Sequence, residues 1–539
     1  MRERALIWIS CVLLLQATTT VSAQENNVNR QPMSRTIELN SVNGFPARGG
    51  KVDWGLAISG GGIRSGSYSI GVLKALYDVG FLNEVDAIST VSGGGFATYW
   101  LYGRHLERQD ESFGNGALSD GSFLTSVNGL KSRSNMYSYW KMFSSIFRSR
   151  KSASTKWGSA IHKTFGQNSQ ALGSTRLGFF SPVSNASKLP MLIVNTTLVN
   201  VPKKPSKPKF ESEALIEITP NHVGGVSTGF ATWSNADSGP RFIDVVATSA
   251  AGKKHIRRTY PNFSAADIDT FGKFKSLDLY DGGCSENLGA MSLIRRGIEN
   301  VVIIDAEHDP KYLYASYVKL RESLDRDDIE LKVDEIDRVA IPVGELPAAC
   351  PEDWFSKAKG PNKPPERSVM IGIARNRKTG TSTNVYYIKM SRSSELFPNE
   401  LESRNWKGKN TRERDLILAD HFCKPTDSCS DYCLGRDMAL GEEARNSACD
   451  AGASDANKKF EGMFSYLTLR YGYYINAQRR LKFLKGIGDF WAYDFPQTST
   501  SDQSLYPDQM EAFIGLGYLQ GKRLAARIGP SLSSNRPTN

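Results

Sequence analysis

The chain reads as an α/β protein built on a central, mainly parallel sheet flanked by helices. Three observations predict this. Two strand, glycine turn, helix units follow one another between Lys51 and His105, and the run Val301 to Asp305 is apolar enough for a strand buried on both faces. With 539 residues, 40% hydrophobic and 23% charged, there is material for a large core. The same balance excludes a disulfide-stapled miniprotein, a multi-span membrane protein and a wholly disordered chain.

The N-terminus carries Arg2 and Arg4 ahead of an apolar run from Ala5 to Leu15, then Val21-Ser22-Ala23 with cleavage expected before Gln24. Residues 1–23 thus read as a signal peptide, with an uncleaved anchor as the alternative, and export to a periplasm or the cell exterior is expected. Residues 24–50 are polar and aperiodic, a flexible lead. One extended domain with insertions is expected over 51–525 and a loose tail over 526–539.

Within that domain Leu56-Ala57-Ile58 form the first strand, Gly60-Gly61-Gly62 the turn, and Ile70, Leu73 and Leu76/Tyr77 the apolar face of a helix stopped by Gly80. Val85 to Val91 repeats the strand, Ser92 to Gly95 the turn, and Phe96 to His105 the helix. Leu192 to Thr197 and Phe242 to Ala247 look like further strands. The stretch Pro202 to Lys209 must be a solvated loop, because its three prolines forbid a helix or a central strand. Val369 to Ala374 and Asn384 to Met390 flank a Lys-Thr-Gly turn and suggest a hairpin. Phe460 to Leu484 reads as helical, and no solenoid repeat is visible.

An excess of 67 Lys and Arg over 56 Asp and Glu favours anionic surfaces without choosing among them. Cys423, Cys429, Cys433 and Cys449 crowd one polar segment, where two local disulfides suit an oxidising compartment. Without a C-x2-C pair, and with only His421 nearby, zinc fits poorly. Cys284 and Cys350 have no assignment, and the sequons at Asn185, Asn195 and Asn262 carry no inference.

Ser92 sits where a strand turns sharply into a helix among small residues, the geometry that lifts a nucleophilic oxygen clear of the backbone. Read alone, it is equally a glycine-rich helix cap. Acyl transfer also needs donors for an oxyanion, and Gly60, Gly61 and Gly62 offer unhindered N–H groups at the same end of the sheet, with Arg64 just beyond as support. A nucleotide cradle is the weaker reading of these glycines, since Ser65 breaks the dinucleotide fingerprint and no Gly-Lys-Ser/Thr follows. Asp281, before Gly282 and Gly283, is a candidate proton acceptor that would otherwise be an ordinary turn residue. His308 could complete a Ser-His-Asp triad, but a solvent-exposed histidine in a charged loop is the favoured reading.

At Ser59-Gly60-Gly61-Gly62-Ile63-Arg64, Val91-Ser92-Gly93-Gly94 and Asp281-Gly282-Gly283 the sequence resembles the patatin-like phospholipases and the cytosolic phospholipases related to them. It departs from them at Ser59, where patatins often have aspartate, and at Thr90, the usual first glycine of the elbow. The resemblance implies a Ser-Asp dyad lipid acyl hydrolase acting on a lipid or phospholipid, with no cofactor, no metal and no nucleic-acid partner. Its competitor is a non-catalytic basic secreted protein that binds anionic membranes on a hydrolase scaffold. Met136, Tyr139/Trp140, Phe143 and Ile146/Phe147 recur at helical spacing beside Lys141, Arg148, Arg150 and Lys151. Such a stripe more often packs a core, and its other reading is peripheral contact with an anionic membrane.

Overall fold

A computed structural model describes residues 53–108, 118–137, 150–181, 189–198, 215–225, 229–232, 239–250, 263–264, 276–277, 279–342, 363–397, 467–472, 495–498 and 503–534, with 401, 413–414 and 417–418. The expected leader, the polar lead, the proline loop, the four clustered cysteines and most of the aromatic-basic stripe lie outside them.

The first strand, β1 (Trp54–Ile58), runs parallel to β2 (Ala87–Val91), with Ile58 beside Thr90. On its other side it is parallel to β11 (Asn300–Asp305), with Ile58 beside Ile304. Two further parallel neighbours extend this block, β4 (Met191–Leu198) against β2 and β14 (Ser382–Lys389) against β11. Beyond these five strands the sheet turns antiparallel at both edges. One edge adds β5 (Leu215–Ile218), β6 (His222–Gly225) and β7 (Gly229–Thr232), and the other adds β13 (Val369–Asn376) and β12 (Ile329–Lys332). The parallel centre is the sheet that the two glycine-turn units predict. The β13 to β14 hairpin lies where the sequence suggests it, around Lys378-Thr379-Gly380.

Every residue of β1, β2, β4 and β11 is buried, as strands covered on both faces require. Two apolar clusters form, one on each face, and each fully buried Leu or Ile contributes about 1.5–3 kcal/mol of transfer free energy. On one face α1 (Gly62–Asp78) is buried from Gly62 through Leu76, lying between the sheet and the long helix α7 (Pro507–Ser534). The two helices meet almost backbone to backbone. A Cβ on Gly71 would lie 1.9 Å from the Ile514 carbonyl oxygen, and one on Gly517 1.9 Å from that of Tyr68, so neither position has room for a side chain. This last helix runs through the boundary expected at residue 525 and on to Ser534.

Two elements differ from the reading of the sequence. Phe242 to Ala247 is not a strand but the start of a helix, α5 (Phe242–Ser249). A short apolar run cannot separate a buried helix from a strand by periodicity, and here nearly every position is buried. Pro240 precedes the helix, and Arg241 pairs with Asp244 in its first turn at 2.7 Å. Met136 belongs to a short strand, β3 (Asn135–Tyr137), and is buried, so the helical stripe does not begin there. Of the expected helix over 460–484, residues 467–472 are described, and they are helical.

Candidate active site

Because β1 and β2 are parallel and adjacent, their carboxyl ends deliver two turns to one place. Ser92 follows β2 with φ 50°, a backbone conformation that is strained for a residue with a side chain and that turns Oγ out of the chain. The strain is held from below by a helix the sequence does not reveal. Ser249, the last residue of α5, accepts the Ser92 N–H at 2.8 Å and donates to the Asn195 carbonyl at 2.6 Å. Asn195 in turn donates from Nδ2 to Ser89 Oγ at 2.8 Å and to the Thr90 carbonyl at 3.1 Å. This sequon asparagine is a fully buried strut of the elbow. Thr90, fully buried at the end of β2, supports the turn without the usual glycine.

The second turn, Ser59 to Gly62, packs directly on the first. A Cβ on Gly93 would lie 2.3 Å from the Gly62 carbonyl oxygen and 2.4 Å from its nitrogen. Gly61 and Gly62 have φ 138° and 61°, which glycine adopts without penalty. Ser59 Oγ accepts the Ala306 N–H at 2.7 Å and donates to the Gly60 carbonyl at 3.1 Å, a local bond in the position where aspartate is usual. The N–H groups of Gly61, Gly62 and Gly93 donate to no group among the described residues. Gly60 differs from its neighbours: its N–H is bound to the Asn287 carbonyl at 2.9 Å. Gly60 is therefore a fixed anchor of the loop, and only Gly61 and Gly62 of the expected three offer open donors.

Arg64 braces this loop rather than facing the reacting position. It is buried, with its guanidinium on the Ala306 carbonyl at 3.1 Å and on the Thr498 carbonyl. Burial lowers its pKa to about 9, against the pull of Glu307 and Asp305. A C-terminal strap thus closes over the loop. Gln503 of the short strand β15 (Gln503–Ser504) accepts the Ile63 N–H at 3.0 Å, and its amide nitrogen lies 2.1 Å from where a Gly62 Cβ would sit.

Asp281 arrives on β10 (Leu279–Asp281), antiparallel to the far end of β4, where β2 has already ended. That opening puts the carboxylate beside the elbow: Ser92 Oγ donates to Asp281 Oδ2 at 3.0 Å, and both residues are over 90% buried. The other carboxylate oxygen accepts the Gly283 N–H at 2.8 Å, while Thr197 Oγ1 donates to the Asp281 carbonyl at 2.7 Å. The tight turn after Asp281 is continued by Cys284, which is disulfide-bonded to a cysteine outside the described residues.

His308 is half-buried rather than exposed. Its Nδ1 is bonded to the Thr498 carbonyl at 3.0 Å, and burial, reinforced by Arg64, lowers its pKa to about 3. It is a neutral contact of the strap, whereas Asp281 meets Ser92 directly.

Residues 56–145, which carry the two glycine turns and Ser92, match the family described as patatin-like phospholipase. No curated protein matches the chain. Among solved structures, human GIVD cytosolic phospholipase A2 is similar at 12% identity and TM-score 0.47, over 89% of this chain and 60% of that one. VipD from Legionella pneumophila is similar at 16% identity and TM-score 0.22, over 51% of this chain and 55% of that one. The chain thus spans under two thirds of each of these proteins. The matched segment, which carries both glycine turns and Ser92, is similar to the patatin-like phospholipase family.

Proposed function

We propose that this chain is a serine-dependent lipid acyl hydrolase of phospholipase type, working through a Ser92 and Asp281 dyad. The observation that carries the reading is the 3.0 Å bond from Ser92 Oγ to Asp281 Oδ2, made beside the open N–H groups of Gly61 and Gly62. Asp281 takes the hydroxyl proton as Ser92 Oγ bonds to the acyl carbon. The oxyanion that forms is held by the N–H groups of Gly61 and Gly62, joined by that of Gly93 and the amino end of α2 (Gly94–Arg108). Collapse expels the alcohol with the proton from Asp281; the carboxylate then takes a proton from the water that attacks the acyl enzyme and returns it to Ser92 Oγ as the ester bond to Ser92 breaks and the fatty acid leaves. Every charge that develops meets a backbone dipole or a carboxylate of this chain, so the steps need no metal.

The two acidic oxygens are not equivalent. Oδ1 is held by Gly283, which leaves Oδ2 to exchange the proton. Purified protein incubated with phosphatidylcholine and phosphatidylglycerol vesicles should release free fatty acid, and Ser92→Ala should abolish the release. Vesicles left intact by a folded wild type that also fails to cleave a soluble ester would sink the proposal. Export through residues 1–23 belongs to the same reading and is tested by N-terminal sequencing of protein recovered from the periplasm or medium, with Gln24 as the expected first residue.

A further inference from the structure

Asn287 touches both turns of the dyad, and it is held by a carboxylate that no step of the chemistry uses. Its backbone carbonyl binds the Gly60 N–H. Its side-chain oxygen is wedged between the turns, 2.2 Å from where a Cβ on Gly60 would sit and 2.7 Å from one on Gly283, whose N–H fixes Asp281. Its Nδ2 donates to Glu307 Oε2 at 3.3 Å and to Ser316 Oγ at 3.2 Å, and Ser316 Oγ donates to the same Glu307 oxygen. A carboxylate can only accept, so Glu307 selects the amide orientation that keeps the Asn287 oxygen toward the two turns.

We propose that Glu307 is a positioning residue of the acyl-transfer site: its carboxylate orients Asn287, and through Asn287 it sets the spacing of the Gly60 to Gly62 turn and the Asp281 turn, so that a proton gained at Glu307 slows turnover. This rests on the hydrolase reading above.

The surroundings supply the proton linkage. Glu307 is buried with Asp305 and Asp309 around the ammonium of Lys389, which lies 2.8 Å from Asp305, 3.3 Å from Asp309 and 3.6 Å from Glu307 Oε1. Arg64 faces the group from α1, Tyr387 donates to Asp305, and the Tyr314 ring centre lies 5.3 Å from Lys389 Nζ. Neutral His308 adds no charge. Three carboxylates against two cations leave one negative charge in excess, and among the described residues Glu307 Oε1 takes part in no hydrogen bond, so it is the oxygen placed to take a proton. Burial, then repulsion by Asp305, push Glu307 up to about 7. Ionised, it holds Asn287 and Ser316 by charge-assisted bonds. Protonated, it holds them by bonds roughly half as strong.

Two readouts test this, kcat on a soluble short-chain ester between pH 5.5 and 8.5 and the backbone amide resonance of Gly60 in 15N-glycine-labelled protein. In the wild type kcat should rise about tenfold through an inflection near neutral pH with KM flat, and the Gly60 amide should titrate at the same midpoint. Glu307→Gln should hold kcat near the low plateau and remove both inflections. Ser316→Ala removes a donor to the carboxylate and should move both to higher pH. Inflections that persist in Glu307→Gln overturn the proposal. So does an unmoved midpoint in Ser316→Ala, which decides the matter if Glu307→Gln does not fold. A protein that cleaves no ester while Gly60 still titrates in a Glu307-dependent way defeats the hydrolase reading and leaves the coupling standing.

Discussion

The two glycine turns at the carboxyl ends of β1 and β2 look alike in sequence and are held by different physics. The elbow at Ser92 stands on neutral groups, the Ser249 hydroxyl, the Asn195 amide and the fully buried strand end at Thr90. The turn at Gly60 to Gly62 stands on charge, with Arg64 on one side and the Glu307 and Lys389 cluster behind Asn287. The two turns divide the labour. A nucleophile needs a fixed, strained backbone whatever the pH, and steric packing with neutral bonds gives that. The anchored loop is tied through Asn287 to the Glu307 carboxylate, and under the proposal above its geometry is open to titration.

The largest effect is expected from the proposed dyad. Asp281→Asn should lower kcat by about 10²–10⁴, while His308→Asn should change it by less than about threefold, because His308 serves the strap. A folded His308→Asn protein as inactive as Asp281→Asn would break the dyad. Next comes the contact between the turns. In Gly93→Ala the new methyl would meet the Gly62 backbone at 2.3 Å, so one turn must shift, at about 1–3 kcal/mol of stability and roughly 10²-fold in kcat. Gly80→Ala, at φ 75° with nothing within 4 Å, should cost about 1 kcal/mol and leave kcat alone. Equal losses in kcat would show that the turns are not coupled by packing.

Smaller again is Ser249→Ala, which leaves the buried Ser92 N–H and Asn195 carbonyl without their partner and should cost about 1–3 kcal/mol by denaturant titration. That cost should be the same at pH 6 and pH 8, since no charged group takes part. The smallest effect is acid lability through His308. Its folded pKa is depressed to about 3, from 6.5, so its contribution to stability is full above pH 6.5 and is lost as the pH falls toward 3. Over the first pH unit below 6.5 the loss should approach 1 kcal/mol, and His308→Asn should flatten it.

How much of this could be read from residues alone follows the same division. Strand, glycine turn and helix are local patterns, and Ser92, Gly61 and Gly62 stand where their neighbours in sequence imply. Asp281 was legible as a carboxylate before glycines, but its meeting with Ser92 spans 189 positions and rests on β10 joining β4 backwards. The supports were not legible. Ser249 lies 157 residues from Ser92, on a helix whose buried apolar run mimics a strand, and Gln503 lies 440 residues from Ile63. Gly60 looked like an open donor because nothing local to it announces the Asn287 carbonyl. The charges in the loop of His308 suggest a solvated histidine, yet Asp305 and Asp309 are buried and paired with Lys389.

Whether Ser92 is the nucleophile and Asp281 its base is tested most directly by covalent labelling. Intact protein treated with an alkyl fluorophosphonate and mapped by peptide mass spectrometry should carry a single adduct on Ser92. The adduct should form as fast in EDTA as without it, about 10²-fold or more slowly in Asp281→Asn, and not at all in Ser92→Ala. An adduct on another serine, or a Ser92→Ala protein that still hydrolyses ester at the wild-type rate, would contradict the account.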